Sequence, residues 1–271
     1  MRYLVIRHED LIGTFEQKKA LVAQFNLMDD TFFSVVMEHN DAAEYLLTQL
    51  LGKPIKIIEN KTQYSIRNAE SHSIVLDALV EDEDHNLYDV EVQVGDKKNH
   101  ERRIRYYRTA IDWSYLEKGR DFSELPELYM IFISDFDPFD LNRNHYEIKE
   151  YVEDSEVCYN DGVHRLYFNT AVKDESGLSK LLQYLADSDV KNDNFGALSR
   201  QVNYHKLQNE GVGSMCKAVD EYGKSREEKG KIEGKIEAVK NMLKKNMAFE
   251  TALELVGIDR QTYDKYAANE Q

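Results

Sequence analysis

A chain of 271 residues, 42% hydrophobic and 31% charged, has room for one full core with an accessory region and is too apolar for a disordered polymer. No apolar run approaches the ~20 residues that span a bilayer, and two cysteines, Cys158 and Cys216, are too few for a disulfide framework or a cysteine-rich zinc site. The formal net charge of −15 argues, as a sum, against a nucleic-acid partner.

The first ten residues hold only a four-residue apolar block, which is not the pattern of a signal peptide, so the cytoplasm is the expected location. Residues 29–51 read as a helix: Asp29, Asp30 and Thr31 offer N-cap chemistry, and Phe33, Val36, Met37, Ala43, Leu46, Leu47 and Leu50 form its apolar stripe. Gly52 and Pro54 end it. A short strand is expected over 55–59, then strands over 74–80 and 87–94, joined through the polar hairpin 82–86. A helix follows over 99–118, packed through Ile104, Tyr107, Ile111, Tyr115 and Trp113 and closed by Gly119. The wholly apolar run 128–133 reads as a strand buried on both faces, so strand, helix and strand form a right-handed parallel crossover.

Strands are expected again over 146–152 and 163–168, with Asn160-Asp-Gly162 as a turn, and a helix from Gly177 to Leu185. Residues 222–245 carry Ile232, Ile236, Val239 and Leu243 at helical spacing, a narrow stripe suited to a docking or dimer-forming helix. The stretch 249–263 has the outline of a small helix-turn-helix, with Gly257 at the turn and Asp259 capping the second helix. Together the elements predict an α/β fold, a mixed central sheet flanked by helices, with a mainly helical C-terminal region.

Charge is unevenly placed. From Asp77 to Glu91 there are seven acids and no Lys or Arg, whereas Lys97 to Arg108 holds six basic residues and one acid. That order suits a metal-dependent enzyme acting on a polyanion; the plainer reading is two solvated surface runs. Asp77 stands in an apolar strand, where an ionised carboxylate is costly unless something pairs with it. In the next strand Asp89, Glu91 and Gln93 alternate with Tyr88, Val90, Val92 and Val94. If the strands are neighbours, Asp77 and Glu91 project together and can hold Mg²⁺ or Mn²⁺, and Gln93 can orient a water or a phosphate. Alternatively, Glu91 and Gln93 are the wet face of an edge strand. An amide brings no positive charge, so Arg105 or another arginine of the following helix must supply it. No P-loop, Rossmann glycine pattern, GxSxG or HExxH is present, and the histidines have no ligand spacing.

Five segments in order carry a resemblance: Asp29-Asp-Thr-Phe-Phe33, Val75-Leu-Asp77, Tyr88-Asp-Val-Glu-Val-Gln93, Arg103-Ile-Arg-Tyr-Tyr107, and Leu125-Pro126 leading into Tyr129-Met-Ile-Phe-Ile-Ser-Asp-Phe-Asp-Pro138. The chain thereby resembles the PD-(D/E)XK nuclease superfamily. More narrowly, it is similar to the Rpn-type recombination-promoting nucleases, also described as PD-(D/E)XK family transposases. The resemblance implies a restriction-endonuclease-like core over 29–200, preceded by an N-terminal extension (1–28) and followed by a helical C-terminal region (201–271) for docking or homodimerisation. It implies a Mg²⁺- or Mn²⁺-dependent DNA endonuclease that promotes recombination or mobile-element processing. Asp77 and Glu91 would be metal ligands, Asp77, Glu91 and Gln93 catalytic, and Arg103, Arg105 and Arg108 contacts to nucleic acid. Two features depart from the superfamily pattern: Gln93 stands where Lys is usual, and Leu76 where Pro is. An acid on the first helix is also common there, and Glu44 is the candidate, with Glu38 and Asp30 behind it. The competing readings are a catalytically weak binding or assembly module and a nuclease directed at RNA.

Overall fold

The order helix, three strands, helix, strand expected for residues 29–135 is the order adopted, with one helix divided and the first strand extended. The computed structural model describes residues 14–66, 74–95, 98–189 and 192–267. Helices α1 (Phe15–Val22), α2 (Asp30–Met37) and α3 (Asn40–Leu51) precede strands β1 (Ile57–Ile66), β2 (Ile74–Asp82) and β3 (Leu87–Gln93). Helix α4 (His100–Tyr115) leads to β4 (Leu128–Ser134) and β5 (His145–Ile148). A two-stranded ribbon, β6 (Glu150–Tyr151) with β7 (Cys158–Tyr159), precedes β8 (Val163–Asn169). Helices α5 (Gly177–Leu185), α6 (Gly196–Leu207), α7 (Asn209–Lys244), α8 (Phe249–Val256) and α9 (Arg260–Ala267) complete the described chain.

The main sheet has the order β1-β2-β3-β4-β8-β5. Strands β3, β4 and β8 run parallel, while β1–β2, β2–β3 and β8–β5 pair antiparallel. This is the expected mixed sheet, and α4 is the crossover between parallel β3 and β4. Tyr88, Val90 and Val92 on one face of β3 and Asp89 and Glu91 on the other are all buried, so β3 is a central strand and not the wet edge. Helix α2 packs against β1 and β2, and α4 packs against β1, β2 and β4. Under α4 lies an apolar cluster that includes Leu79, Leu87, Ile104, Ile111, Met130 and Phe132.

Three expectations about elements are corrected. The helix over 29–51 breaks at His39, whose extended backbone (φ −86°, ψ 110°) caps α3. The Asn60 side chain donates to the Met37 carbonyl that the break exposes, so the interruption leaves no orphan there. Strand β1 runs to Ile66 and not to 59, because its polar residues suit an edge position that apolar periodicity does not reveal. Trp113 is 63% exposed and Tyr115 is exposed too, so the buried stripe of α4 is Ile104 and Ile111, with Tyr107 half-buried. Helices α1 and α6 had no expected counterpart. Among the described residues no helix is long and apolar enough to cross a membrane.

The chain divides into two compact units, the second beginning at Val219. In the second unit Ile236, Val239, Ala252, Leu253 and Ile258 form a core, and Ile232 and Leu243 pack against it. The stripe expected to face a partner is thus covered by the chain's own tail. Gly257 adopts φ 67° at the end of α8, and Asp259 accepts the Thr262 N–H at 2.8 Å, the expected turn and cap.

Candidate active site

The hairpin between β2 and β3 sets the site by fixing register. Asp82 accepts the Asp84 and Asn86 N–H groups, both at 2.9 Å, and the Tyr88 hydroxyl at 2.6 Å. His85 takes the left-handed conformation (φ 63°) that the tight connection needs. The paired ladder ends at Ala78 with Val90, and the next residues, Asp77 and Glu91, meet through the hydrogen bond from the Asp77 N–H to the Glu91 side chain. Opposed residues on adjacent strands share a face.

The two carboxyls are bound into each other's strands. The Asp77 N–H donates to Glu91 Oε1, and the Val92 N–H donates to Asp77 Oδ2, each at 3.0 Å. Asp77 is 9% exposed and Glu91 3%. Arg103, from the first turn of α4, donates through Nη2 to Glu91 Oε2 at 3.0 Å and through Nη1 to Gln93 Oε1. Its guanidinium also lies 5.3 Å from the centre of the Tyr107 ring. Asp77, Glu91, Gln93 and Arg103 are therefore brought together.

The other two arginines are not. Arg108 pairs with Asp161 at 3.2 Å and Asp112 at 3.9 Å. Arg105 is exposed and lines a separate cavity of about 390 Å³ with Arg108, Arg165 and Tyr167. Of the arginines on this helix, Arg105 being the first candidate and the others left open, Arg103 is the one at the carboxylates. Among the acids of the first helical region, Glu44 is committed elsewhere, accepting the Ile57 N–H at 3.0 Å and pairing with Lys56 at 3.0 Å. Glu38 faces Thr62. Asp30 is the one whose charge reaches Asp77.

Asp89 is the residue that sequence reasoning placed on the right face without giving it a role. It is wholly buried, and neither carboxyl oxygen has a hydrogen-bond partner among the described residues. Burial, then repulsion from Asp77, pushes its pKa well up, against the pull of Arg103. Asp77 is likewise pushed well up by burial and by Glu91 and Asp30. Burial and Asp89 raise Glu91 to about 8, opposed by the Asp77 N–H and Arg103. One guanidinium cannot balance three carboxylates, so the cluster retains protons near neutrality. Asp89, with no hydrogen-bond partner among the described residues, is the natural holder of one of them.

Among the described residues no group of three or more His, Cys, Asp or Glu side chains is arranged to hold a metal ion. The donor set nevertheless fits a hard divalent cation. Mg²⁺ commonly takes one or two carboxylates with waters and substrate oxygens, and a dication would offset the burial and the repulsion that raise these pKa values.

No curated protein and no solved structure matches the chain. The sequence model of the PD-(D/E)XK nuclease family transposases matches residues 31–185, more than half of the 271 residues. This span runs from the second residue of α2 to the end of α5 and contains Asp77, Asp89, Glu91, Gln93 and Arg103, with Asp30 just before it. With its mixed sheet, its helices on the sheet and its acidic pair on β2 and β3, the chain belongs to the PD-(D/E)XK nuclease family of transposases.

Proposed function

We propose that this nuclease-family protein is a divalent-metal-dependent DNA endonuclease serving recombination or mobile-element processing. The observation that carries the reading is the Asp77–Glu91 pair, buried on adjacent strands with each carboxyl anchored by a backbone N–H. Asp77 and Glu91 would hold Mg²⁺ or Mn²⁺, and Asp30 adds negative charge at the same place. The cation supplies Lewis-acid activation of a phosphodiester and acidifies a bound water. Gln93 orients water or phosphate through its amide, and Arg103 brings the positive charge that the amide lacks. Arg105, exposed on the same helix, offers a further contact to DNA backbone, while Arg108 is held by Asp161 and Asp112. The low cysteine count favours action in the cytoplasm.

The test is cleavage of supercoiled plasmid and linear DNA by purified protein, with RNA of matched sequence in parallel. Cutting of DNA with Mg²⁺ or Mn²⁺, none in EDTA and none by Glu91→Gln is the expected result. Equal cleavage by wild type and Glu91→Gln refutes the assignment. Preferential cutting of RNA transfers the activity to the other polymer, and a Mn²⁺-binding protein that cuts neither is a binding module.

A further inference from the structure

Arg103 is the positive charge that Asp77, Asp89 and Glu91 all feel. Its guanidinium fork is committed to the site, with one arm on Glu91 Oε2 at 3.0 Å and the other on Gln93 Oε1. Glu91 Oε1 is already taken by the Asp77 N–H, so a cation approaching Glu91 meets Arg103 at the other oxygen. The Arg103 side chain is 37% exposed while Glu91 is 3% exposed, so the arginine has a path to water that the carboxylate lacks. A guanidinium and a dication at one carboxylate repel each other, and the neutral amide of Gln93 cannot hold the arginine against that repulsion.

We propose that Arg103 is a resident counter-ion that competes with the divalent cation for Glu91, and that cation binding releases its guanidinium to a phosphate of the substrate. This rests on the metal reading above and adds an order to it: the arginine becomes available to the polyanion only once the cation has replaced it. A planar fork with five donors suits both partners, the carboxylate–amide pair before and a phosphate after.

Calcium is the probe, because it seeks oxygen ligands and its binding can be read without catalysis. Calorimetric titration compares wild type and variant in one buffer at one pH and ionic strength. Arg103→Met keeps an unbranched apolar stem and removes the charged fork, and should bind Ca²⁺ on the order of tenfold more tightly than wild type. Equal or weaker binding by a folded variant overturns the proposal. The wild type gives an independent readout that needs no substitution. Modification of Arg103 by phenylglyoxal, followed by peptide mass spectrometry, should accelerate when Ca²⁺ is added, with exposed Arg120 as the unchanged control. An unchanged or slower rate at Arg103 overturns it as well. If neither protein binds Ca²⁺, the metal reading itself falls; if both bind equally, only the counter-ion role does.

Discussion

Asp77 and Glu91 each accept a backbone N–H from the other's strand, at 3.0 Å in both directions, so the proposed metal pair also closes the ladder between β2 and β3. Substitutions that look alike should therefore behave differently. Glu91→Gln keeps an acceptor for the Asp77 N–H and removes a repelling charge, so its urea midpoint should equal or exceed that of wild type. Glu91→Ala leaves that buried N–H unsatisfied and should lose about 1–3 kcal/mol. Both should lose Mn²⁺ binding. A Glu91→Ala protein as stable as Glu91→Gln would contradict the anchoring role.

The choice between first-helix acids is testable by the same titration. Asp30→Asn should weaken Mn²⁺ binding severalfold, because its charge reaches Asp77. Glu44→Gln should leave binding unchanged and lower stability modestly, since Glu44 serves the Ile57 N–H and Lys56. The reverse pattern would return Glu44 to the site.

The buried carboxyls predict a stability slope. A carboxyl whose folded pKa lies above its unfolded value binds more protons folded than unfolded between the two, so stability falls as pH rises through that interval. For Glu91 the interval runs from the ordinary carboxylate value to about 8, and Asp77 and Asp89 shift the same way. Thermal unfolding without divalent cations should show a melting temperature that declines from pH 6.5 to pH 8, above the interval in which buried histidine opposes it. Asp89→Asn should flatten the decline, and identical profiles for the two proteins would show that Asp89 does not take part.

His39 and His205 predict the opposite slope at lower pH. Their Nε2 atoms lie 2.9 Å apart, a contact that needs one nitrogen as donor and the other as acceptor. Burial depresses His205 to about 4, with the nearby His39 adding to the effect against a hydrogen bond to the Gly211 carbonyl. The unfolded chain then binds more protons at this histidine below its ordinary value of 6.5, so the contribution of His205 to stability should drop as pH falls from 6.5 to 4, against the contribution of the carboxyls. His205→Gln should reduce that acid sensitivity while costing stability near pH 7.

Lys206 is 2% exposed and donates to the carbonyls of Ala23, Phe25 and Ser188, tying α6 to the segment that follows α1. Lys206→Met should cost about 1–3 kcal/mol in chemical denaturation, because the aliphatic length remains but those carbonyls lose their donor. A neutral effect would mean that water replaces the ammonium.

Much of the site was legible because strand alternation and a hairpin of known length are local properties. The spacing from Asp77 to Glu91, with a polar five-residue link, is enough to set the two carboxylates on one face. Helix α5 from Gly177 to Leu185 and the Gly257 turn were legible for the same reason, through capping residues and periodicity. The division of α2 from α3, the polar length of β1 and the helix α6 were not, because each depends on a partner distant in sequence. Asn60 supports the break at Met37, β2 supports β1, and Asp41 receives Gln201 of α6.

The residues alone thus determined the fold class, the acidic pair and the arginine-rich helix, since these follow from period, charge order and motif. Only the tertiary structure decided which arginine reaches the carboxylates and which first-helix acid lies near them. It also showed that Asp89 is a third buried carboxyl. A helix carries Arg103, Arg105 and Arg108 around its circumference, and sequence spacing does not say which face meets the sheet. The burial of Ile104 and Ile111 under α4 rotates Arg103 onto Glu91 and Gln93 and leaves Arg105 facing outward.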